Sequence, residues 1–284
     1  MKALITIEEV TSMRNQWRRD LQSIALVPTM GALHDGHLSL IDEAKKYADK
    51  VIATIFVNPT QFGPNEDFAK YPRTLEDDMK ALESRGVDAV FLPNAADIYP
   101  DDFQTMISNS KISLQLCGAN RPGHFDGVLT VVMKLFQLTG ANTACFGKKD
   151  YQQLKVIERM VKDLNLDIQI VGCELIRDSD GLALSSRNRY LSDEDRSTAK
   201  CLNEALKVVK QSYDSGVRSI NELLAAGTKV LEGAPGAEVE YFEIRSQGNL
   251  ADLSDCENLE VDSVVLVAAK VGETRLIDNI ELSQ

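Results

Sequence analysis

Two histidines lie close together in residues 27–40, whose sequence is VPTMGALHDGHLSL. His34 and His37 are separated by Asp35 and Gly36, at a point where a short apolar strand is expected to lead into an amphipathic helix. The first turn of a helix presents backbone N–H groups and the positive end of the helix dipole, and glycine allows a ligand to approach closely. This H-x-G-H segment predicts a phosphate-binding turn. The alternative is a tight turn whose histidines bond only local carbonyl groups.

A polar segment follows the next apolar strand. Residues 51–57, VIATIFV, form a continuous β-branched run that is typical of a parallel strand covered on both faces. It leads into Asn58 and Gln61, at the carboxyl edge where doubly wound sheets bind ligands. Their side-chain amides suit the hydroxyl and carboxylate groups of a small substrate, although solvation of a loop explains the same residues equally well.

A second turn of phosphate-binding type has the sequence GKKD at residues 147–150. A strand is predicted before it and a helix after it, so one of its two lysines lies where an ammonium group could meet phosphate oxygens. Asp150 could accept a hydrogen bond from a ribose hydroxyl, or it could simply cap the helix.

Two further segments contain arginine. Residues 184–189, LSSRNR, bring two hydroxyl and two guanidinium groups together, and RPGHFDG at 121–127 precedes a helical pattern. Arg121 and His124 could reach an anion, although a single histidine beside glycine more often shapes a loop. Histidine, lysine and arginine all neutralise charge on a transferring phosphoryl group. Because the chain lacks a G-x-x-x-x-G-K-[ST] motif, attack at an α-phosphate fits better than P-loop cleavage of a γ-phosphate.

The apolar periodicity predicts the elements that position these groups. In the N-terminal part, strands and helices alternate, which is typical of a Rossmann-like parallel sheet. We therefore expect an α/β fold with a Rossmann-like parallel-sheet domain at 1–175 and a smaller α+β lid domain at 176–284. Helices are predicted at 7–21, 37–48, 75–85, 128–138, 151–164, 193–213 and 220–232, and strands at 23–28, 51–57, 89–92, 142–146, 168–171, 239–245, 264–269 and 276–280.

Composition restricts the partners of the chain. A net charge of −12 over 284 residues disfavours nucleic acid and an anionic membrane surface as partners, since both attract basic proteins. The N-terminal sequence has no secretion signal and no apolar run is long enough to span a membrane, so we expect a cytoplasmic protein. The five cysteines are odd in number and widely spaced, which favours buried reduced thiols over disulfides or a zinc site.

Five segments together carry a family resemblance: PTMGALHDGH, FVNPTQF, RPGHFDGV, FGKKDYQQ and GLALSSRNRYL. In order and spacing they resemble the pantoate–β-alanine ligases, which are adenylate-forming members of the H-x-G-H nucleotidyltransferase superfamily. The resemblance covers essentially the whole chain. It implies ATP-dependent condensation of pantoate with β-alanine through pantoyl adenylate, with release of AMP and pyrophosphate. It also implies Mg²⁺ on the ATP phosphates and a homodimer.

The resemblance also implies roles for individual residues. His37 is the expected proton donor, and His34 and Lys149 are the other catalytic candidates. Gln61 and Gln153, with Asn58 nearby, are expected to bind pantoate, and Gln61 also to meet β-alanine. No protein ligand for a metal is implied. The expected ATP-binding residues are Met30, Gly31, Ala32, Leu33, His34, Asp35, Gly36, His37, Gly147, Lys148, Lys149, Asp150, Ile176, Leu184, Ser185, Ser186 and Arg187.

Two other functions would use similar residues. A nucleotidyltransferase would move AMP onto a phosphate-bearing acceptor and keep it in the product, whereas the ligase releases free AMP. A nucleotide-sensing module would bind ATP without forming pyrophosphate.

Overall fold

The chain forms two units in a computed structural model, which describes residues 1–64 and 66–283. The first unit comprises Met1–Lys148 and Gln152–Glu174. The second comprises Lys149–Tyr151 together with the C-terminal residues from Leu175 on. Three residues in the middle of the sequence therefore belong with the C-terminal part. The predicted functional division at residues 175 and 176 stays a prediction.

The first unit is built on a six-stranded parallel sheet. Strand order is β1-β4-β3-β2-β5-β6, and the order reverses between β2 and β5. In open α/β sheets such a reversal opens a crevice at the carboxyl ends of the two strands, where ligands bind. The predicted Rossmann-like sheet is confirmed. Its strands are β1 Lys2–Leu4, β2 Ile24–Thr29, β3 Lys50–Ile55, β4 Ala89–Phe91, β5 Thr143–Gly147 and β6 Gln169–Cys173.

The helices that connect these strands are α1 Ile7–Arg19, α2 Asp35–Ala44, α3 Leu75–Ser84, α4 Ala95–Ile98, α5 Cys117–Asn120, α6 His124–Thr139 and α7 Tyr151–Asp163. Leu40 and Ile41 of α2 pack with Leu82 of α3 against the core residues of β2, β3 and β4. Each such side chain stabilises the fold by about 1.5–3 kcal/mol when fully buried. Within the described ranges, no helix is both long and apolar enough to cross a membrane.

The ends of several elements differ from their predicted positions. Helix α6 begins at His124 instead of residue 128, so His124 lies in the first helical turn and not in the preceding loop. Helix α2 ends at Ala44 instead of residue 48, because the chain tightens there into bonds such as Tyr47 N to Ala44 O at 3.1 Å. Strand β1 and helices α4 and α5 were not predicted, since three or four residues are too few to show periodicity.

The second unit packs two helices on an antiparallel sheet, as the predicted α+β class requires. The helices are α8 Asp193–Asp214 and α9 Ile220–Glu232, and the strands are β7 Ala237–Ser246, β8 Ser263–Val271 and β9 Thr274–Leu282, in the order β7-β8-β9. Ser192 caps α8 by accepting a hydrogen bond from Asp195 N at 3.1 Å. Strands β8 and β9 form a hairpin whose turn contains Gly272 at a φ of 56°.

The cysteines follow the prediction with one exception. Cys117, Cys145, Cys173 and Cys201 are buried, whereas Cys256 is exposed. The prediction of burial was wrong for Cys256 because its neighbours in the sequence SDCEN are polar and keep this loop in solvent.

Candidate active site

The H-x-G-H turn joins β2 to α2 at the carboxyl edge of the sheet. Gly31 and Ala32 take positive φ angles of 83° and 50°, and Ala32 is completely buried. A left-handed alanine costs about 1–2 kcal/mol, so its surroundings must hold it in place. His34 starts the helix, since its carbonyl accepts hydrogen bonds from His37 N at 2.8 Å and Leu38 N at 3.1 Å. The amide groups of Asp35 and Gly36 precede the first of these bonds, in the positions where a helix start binds anions.

The side chains of His34 and His37 lie side by side. Their ring centroids are 4.1 Å apart and the ring planes are inclined by 40°. Both residues are half-buried. Two imidazole N–H groups can therefore be directed at one ligand bound over the start of α2.

Asp78 of α3 holds the backbone of this turn, and sequence reasoning missed it. Its side chain is buried, with Oδ2 accepting from Ala32 N at 2.9 Å and Oδ1 from Leu33 N at 2.8 Å. Hydrogen bonds to a carboxylate are stronger than neutral ones, so Asp78 fixes the strained conformation at Ala32. The sequence does contain one sign of this role. Asp78 lies four positions before Leu82, so an acidic residue stands on the apolar face of a predicted helix.

Replacing Asp78 with alanine should lower the free energy of unfolding by about 2–4 kcal/mol, because two buried N–H groups lose their acceptors. Urea denaturation followed by circular dichroism measures this change. Asp77→Ala is the matched control, since the Asp77 side chain is 82% exposed and its ion pair with Lys80 spans 3.9 Å. The control should change stability by less than about 0.5 kcal/mol. Equal losses in the two variants would contradict the assignment.

The Asn58 amide is occupied by protein groups. Asn58 is 1% exposed, and its Nδ2 donates to Gln61 Oε1 and to Gly127 O, both at 3.1 Å. Its Oδ1 accepts from Tyr99 OH at 2.8 Å and from Thr60 Oγ1 at 3.0 Å. A Cβ at Gly127 would lie 2.4 Å from the Thr60 carbonyl oxygen. Helix α6 and the turn that contains Thr60 can therefore approach this closely only with glycine at position 127. Asn58 therefore orients Gln61.

The RPGH segment supports Gln61 from the other side. His124 Nδ1 lies 2.8 Å from Gln61 O, and Arg121 Nη1 lies 3.0 Å from His124 Nε2. Because arginine can only donate, Nε2 accepts and Nδ1 carries the proton. Arg121 also binds both carboxylate oxygens of Glu66 at 2.6 Å. Burial raises the pKa of Glu66, but the Arg121 guanidinium outweighs this and holds it below its ordinary value. These contacts favour the loop-shaping role for His124.

The two lysines after β5 have different partners. Lys148 and Lys149 lie in a short 3₁₀ turn, Lys148–Asp150. Lys148 Nζ is 2.7 Å from Glu174 Oε1, whereas Lys149 Nζ is 3.8 Å from Asp150 Oδ2. The charge of Lys148 is thus matched within the first unit. Lys149, whose side chain is 20% exposed, is the better candidate for a phosphate contact.

The remaining predicted ATP-binding residues lie together in the second unit. Leu184 N donates to Ile176 O at 3.0 Å, which brings two separate predicted segments side by side. Ser185 then caps the 3₁₀ helix Ser186–Tyr190, with its hydroxyl accepting from Arg187 N at 3.3 Å. Residues 184–187 therefore form a capped turn that places Arg187 at the start of the 3₁₀ helix.

Two adjacent glutamines in the first turns of α7 differ in role. Gln152 is buried, and its amide donates to Ile112 O and Gln115 O at 2.7 Å each. Gln153 is half-buried. The Gln152 amide is thus used in hydrogen bonds within the protein, and Gln153 is the candidate of the two for binding substrate.

Comparison with known proteins identifies the family. The sequence model described as Pantoate-beta-alanine ligase matches residues 2–281. The chain belongs to the pantoate–β-alanine ligase family. This membership confirms the resemblance carried by the five sequence segments and the enzyme class that they predicted.

Three relatives of the family match this chain over 97% or more of their own length. A protein named pantothenate synthetase from Geobacter sulfurreducens is 47% identical over 284 residues, which cover 100% of this chain and 99% of the relative. The crystal structure of pantothenate synthetase from Thermus thermophilus has a TM-score of 0.94 at 40% identity, with 100% of both chains covered. Pantoate-beta-alanine ligase from Francisella tularensis, crystallised with beta-gamma ATP and beta-alanine, has a TM-score of 0.80 at 38% identity, covering 99% of this chain and 97% of that one.

Proposed function

We propose that the chain joins pantoate to β-alanine at the expense of ATP, in two steps. The pantoate carboxylate attacks the α-phosphorus of ATP, and pyrophosphate leaves. The β-alanine amine then attacks the carbonyl carbon of pantoyl adenylate, the C–O bond to phosphate breaks, and AMP leaves. The observation that supports this most strongly is the position of the H-x-G-H turn, which lies where the strand order reverses in a chain that matches the ligase family over residues 2–281.

The first step depends on charge neutralisation. A pantoate carboxylate is already ionised at neutral pH, so no general base is needed to make it a nucleophile. Negative charge grows on the phosphate oxygens and on the leaving pyrophosphate, and preorganised donors stabilise it. His34, His37 and Lys149 are the donors in this proposal, with His37 as the proton donor. The reaction needs no covalent intermediate with the enzyme.

The nucleotide and the acid have separate residues in this proposal. Residues 30–37, Gly147, Lys149, Asp150, Ile176 and residues 184–187 bind ATP. Gln61 and Gln153 bind pantoate through their side-chain amides, and Gln61 also meets β-alanine. Asn58 acts through Gln61, because its own amide is bonded to Gln61, Gly127, Tyr99 and Thr60.

The proposal includes Mg²⁺, a homodimer and a cytoplasmic location. Mg²⁺ bound with a nucleotide takes most of its ligands from phosphate oxygens and water, and it would lower the negative charge that the protein donors face. Residues 1–64 and 66–283 contain no group of three His, Cys, Asp or Glu side chains placed to hold a metal. Analytical ultracentrifugation tests the dimer, and cell fractionation tests the location.

One assay separates this function from its alternatives. With ATP, pantoate and β-alanine, the ligase should form one AMP and one pantothenate for each pyrophosphate. Without the amine, pyrophosphate should stop near one equivalent per site because the adenylate stays bound. A nucleotidyltransferase would leave AMP within its product, and a sensor would bind ATP without pyrophosphate release. Either of those results would overturn the proposal.

Replacing Gln61 with alanine should raise the KM for pantoate about tenfold, because one or two hydrogen bonds of about 1 kcal/mol each are lost. The dissociation constant for ATP should stay within about twofold, since Gln61 is not among the ATP-binding residues. Steady-state kinetics and calorimetry measure the two quantities. Gln137→Ala, at an exposed glutamine of α6, is the control and should change neither. Weaker ATP binding with an unchanged pantoate KM would show that Gln61 is misplaced.

A further inference from the structure

The segment that carries Lys149 is bound to the last strand of the chain. Asn279 of β9 donates from Nδ2 to the Lys149 carbonyl oxygen at 3.0 Å. Two residues further along each segment, Tyr151 OH donates to Glu281 Oε1 at 3.0 Å. Lys149–Tyr151 and β9 belong to the same unit, although about 130 residues separate them in sequence. Strand β9 therefore determines where the backbone of Lys149 lies.

Asn279 is itself held by an ion pair whose carboxylate is buried. Arg177 donates from Nη1 and Nη2 to the two carboxylate oxygens of Asp278, at 2.6 and 2.9 Å, and the Asp278 side chain is 2% exposed. Asp278 Oδ1 also accepts from Asn279 N at 2.7 Å, and Arg177 Nη2 donates to Asn279 O at 3.4 Å. Burial raises the pKa of Asp278, and the charges of Arg177 and Lys149 oppose that rise.

Such an arrangement restricts motion. A bidentate arginine–carboxylate pair has a fixed geometry, and its hydrogen bonds are stronger where water is excluded. Both the N–H and the C=O of Asn279 are bonded to this pair, so the backbone from which its side-chain amide extends is fixed in place. Asn279 is 6% exposed, so solvent contributes little to its orientation.

We propose that Asn279 is a positioning residue for Lys149. It acts through its hydrogen bond to the Lys149 carbonyl, and its own position is fixed by the ion pair of Arg177 and Asp278. This inference rests on the proposed function, in which the Lys149 ammonium contacts the phosphates. A flexible lysine side chain directs its charge reproducibly only when its backbone is fixed, and a displacement of about 1 Å at a reacting group can lower a rate by about 100-fold. Asn279 sets the position of the Lys149 backbone without touching substrate.

A double-mutant cycle tests the coupling between the two residues. Asn279→Leu keeps a similar volume and the backbone bonds to Arg177 and Asp278, but removes the donor to Lys149. In the otherwise unchanged enzyme it should lower kcat about 5- to 20-fold, with the KM values for ATP and pantoate within about threefold. In the Lys149→Ala background, the same substitution should change kcat less than about twofold.

Ser263→Ala is the matched control for loss of a buried hydrogen bond in the same sheet. Ser263 is fully buried on β8, and its hydroxyl donates to Val261 O at 2.7 Å. This variant should lower the melting temperature and leave kcat unchanged. A loss of kcat in Ser263→Ala equal to that in Asn279→Leu would overturn the positioning role, because destabilisation would then explain both.

The outcomes distinguish failure of the inference from failure of the proposed function. A normal kcat in Lys149→Ala removes the phosphate role of Lys149, and the positioning role with it. If Lys149→Ala is impaired but Asn279→Leu lowers kcat equally in both backgrounds, the inference alone is overturned. If Asn279→Leu does not fold, Asn279→Asp, which keeps the shape but cannot donate, replaces it in the same cycle with the same expected result.

Discussion

Replacing His37 with alanine should lower kcat about 100-fold or more and change the KM values for ATP and pantoate much less. His37 lies in the first turn of α2, with its ring 4.1 Å from that of His34 between centroids. In the proposed reaction, its N–H group donates to the charge that develops at the α-phosphate as pyrophosphate departs. Such an interaction is stronger in the transition state than in the bound substrate, so its loss appears in kcat.

Steady-state kinetics with each substrate varied in turn gives the kcat and KM values of His37→Ala. Calorimetry with a non-hydrolysable ATP analogue separates binding from chemistry. His37→Gln is the informative companion because glutamine keeps an N–H donor, and its kcat should lie between those of the alanine variant and the unchanged enzyme. The bond from His37 N to the His34 carbonyl belongs to the backbone and remains in both variants. A near-normal kcat in His37→Ala would refute the role of this histidine.

Replacing Lys149 with alanine should also lower kcat about 100-fold or more, since a full positive charge is lost from the proposed phosphate site. Lys149→Arg keeps the charge but changes its shape and reach, so it should recover only part of the rate. Comparing kcat in Lys149→Ala and Lys148→Ala tests which of the two lysines contacts the phosphates. Lys148 Nζ pairs with Glu174 at 2.7 Å, and Lys148→Ala should lower kcat less than about tenfold.

Rapid-quench measurement of the first turnover shows whether Lys149 acts on adenylate formation. The single-turnover rate of pyrophosphate formation should fall in Lys149→Ala by at least the factor by which kcat falls, if formation of the adenylate limits the variant. A larger loss in Lys148→Ala than in Lys149→Ala would show that the roles of the two lysines are exchanged.

Local sequence patterns were sufficient for the framework of the site. The strand, glycine turn and helix around His34 and His37 follow from apolar periodicity and residue type, and the same holds for the turn at 147–150. The five segments in family order then identified the family, which the match over residues 2–281 confirms. Such features are local or ordered along the chain, so a single sequence displays them.

Long-range side-chain contacts could not be predicted in this way. Asp78 binds backbone groups at Ala32 and Leu33, and Asn279 binds the carbonyl of Lys149 about 130 residues away in sequence. Neither apolar periodicity nor residue spacing predicts which buried polar side chain will bond to which backbone atom. The burial of Asn58 has the same origin, because Gly127 and Tyr99 close around it from distant parts of the chain.

Transfer of oxygen from pantoate to AMP tests the proposed chemistry most directly. If the pantoate carboxylate attacks the α-phosphorus, pantoate labelled with ¹⁸O in both carboxylate oxygens should give AMP with one ¹⁸O and pantothenate with one ¹⁸O in its amide carbonyl. Mass spectrometry of both products after a single turnover measures the label. AMP without ¹⁸O would contradict the pantoyl adenylate, and with it the roles proposed for His34, His37 and Lys149.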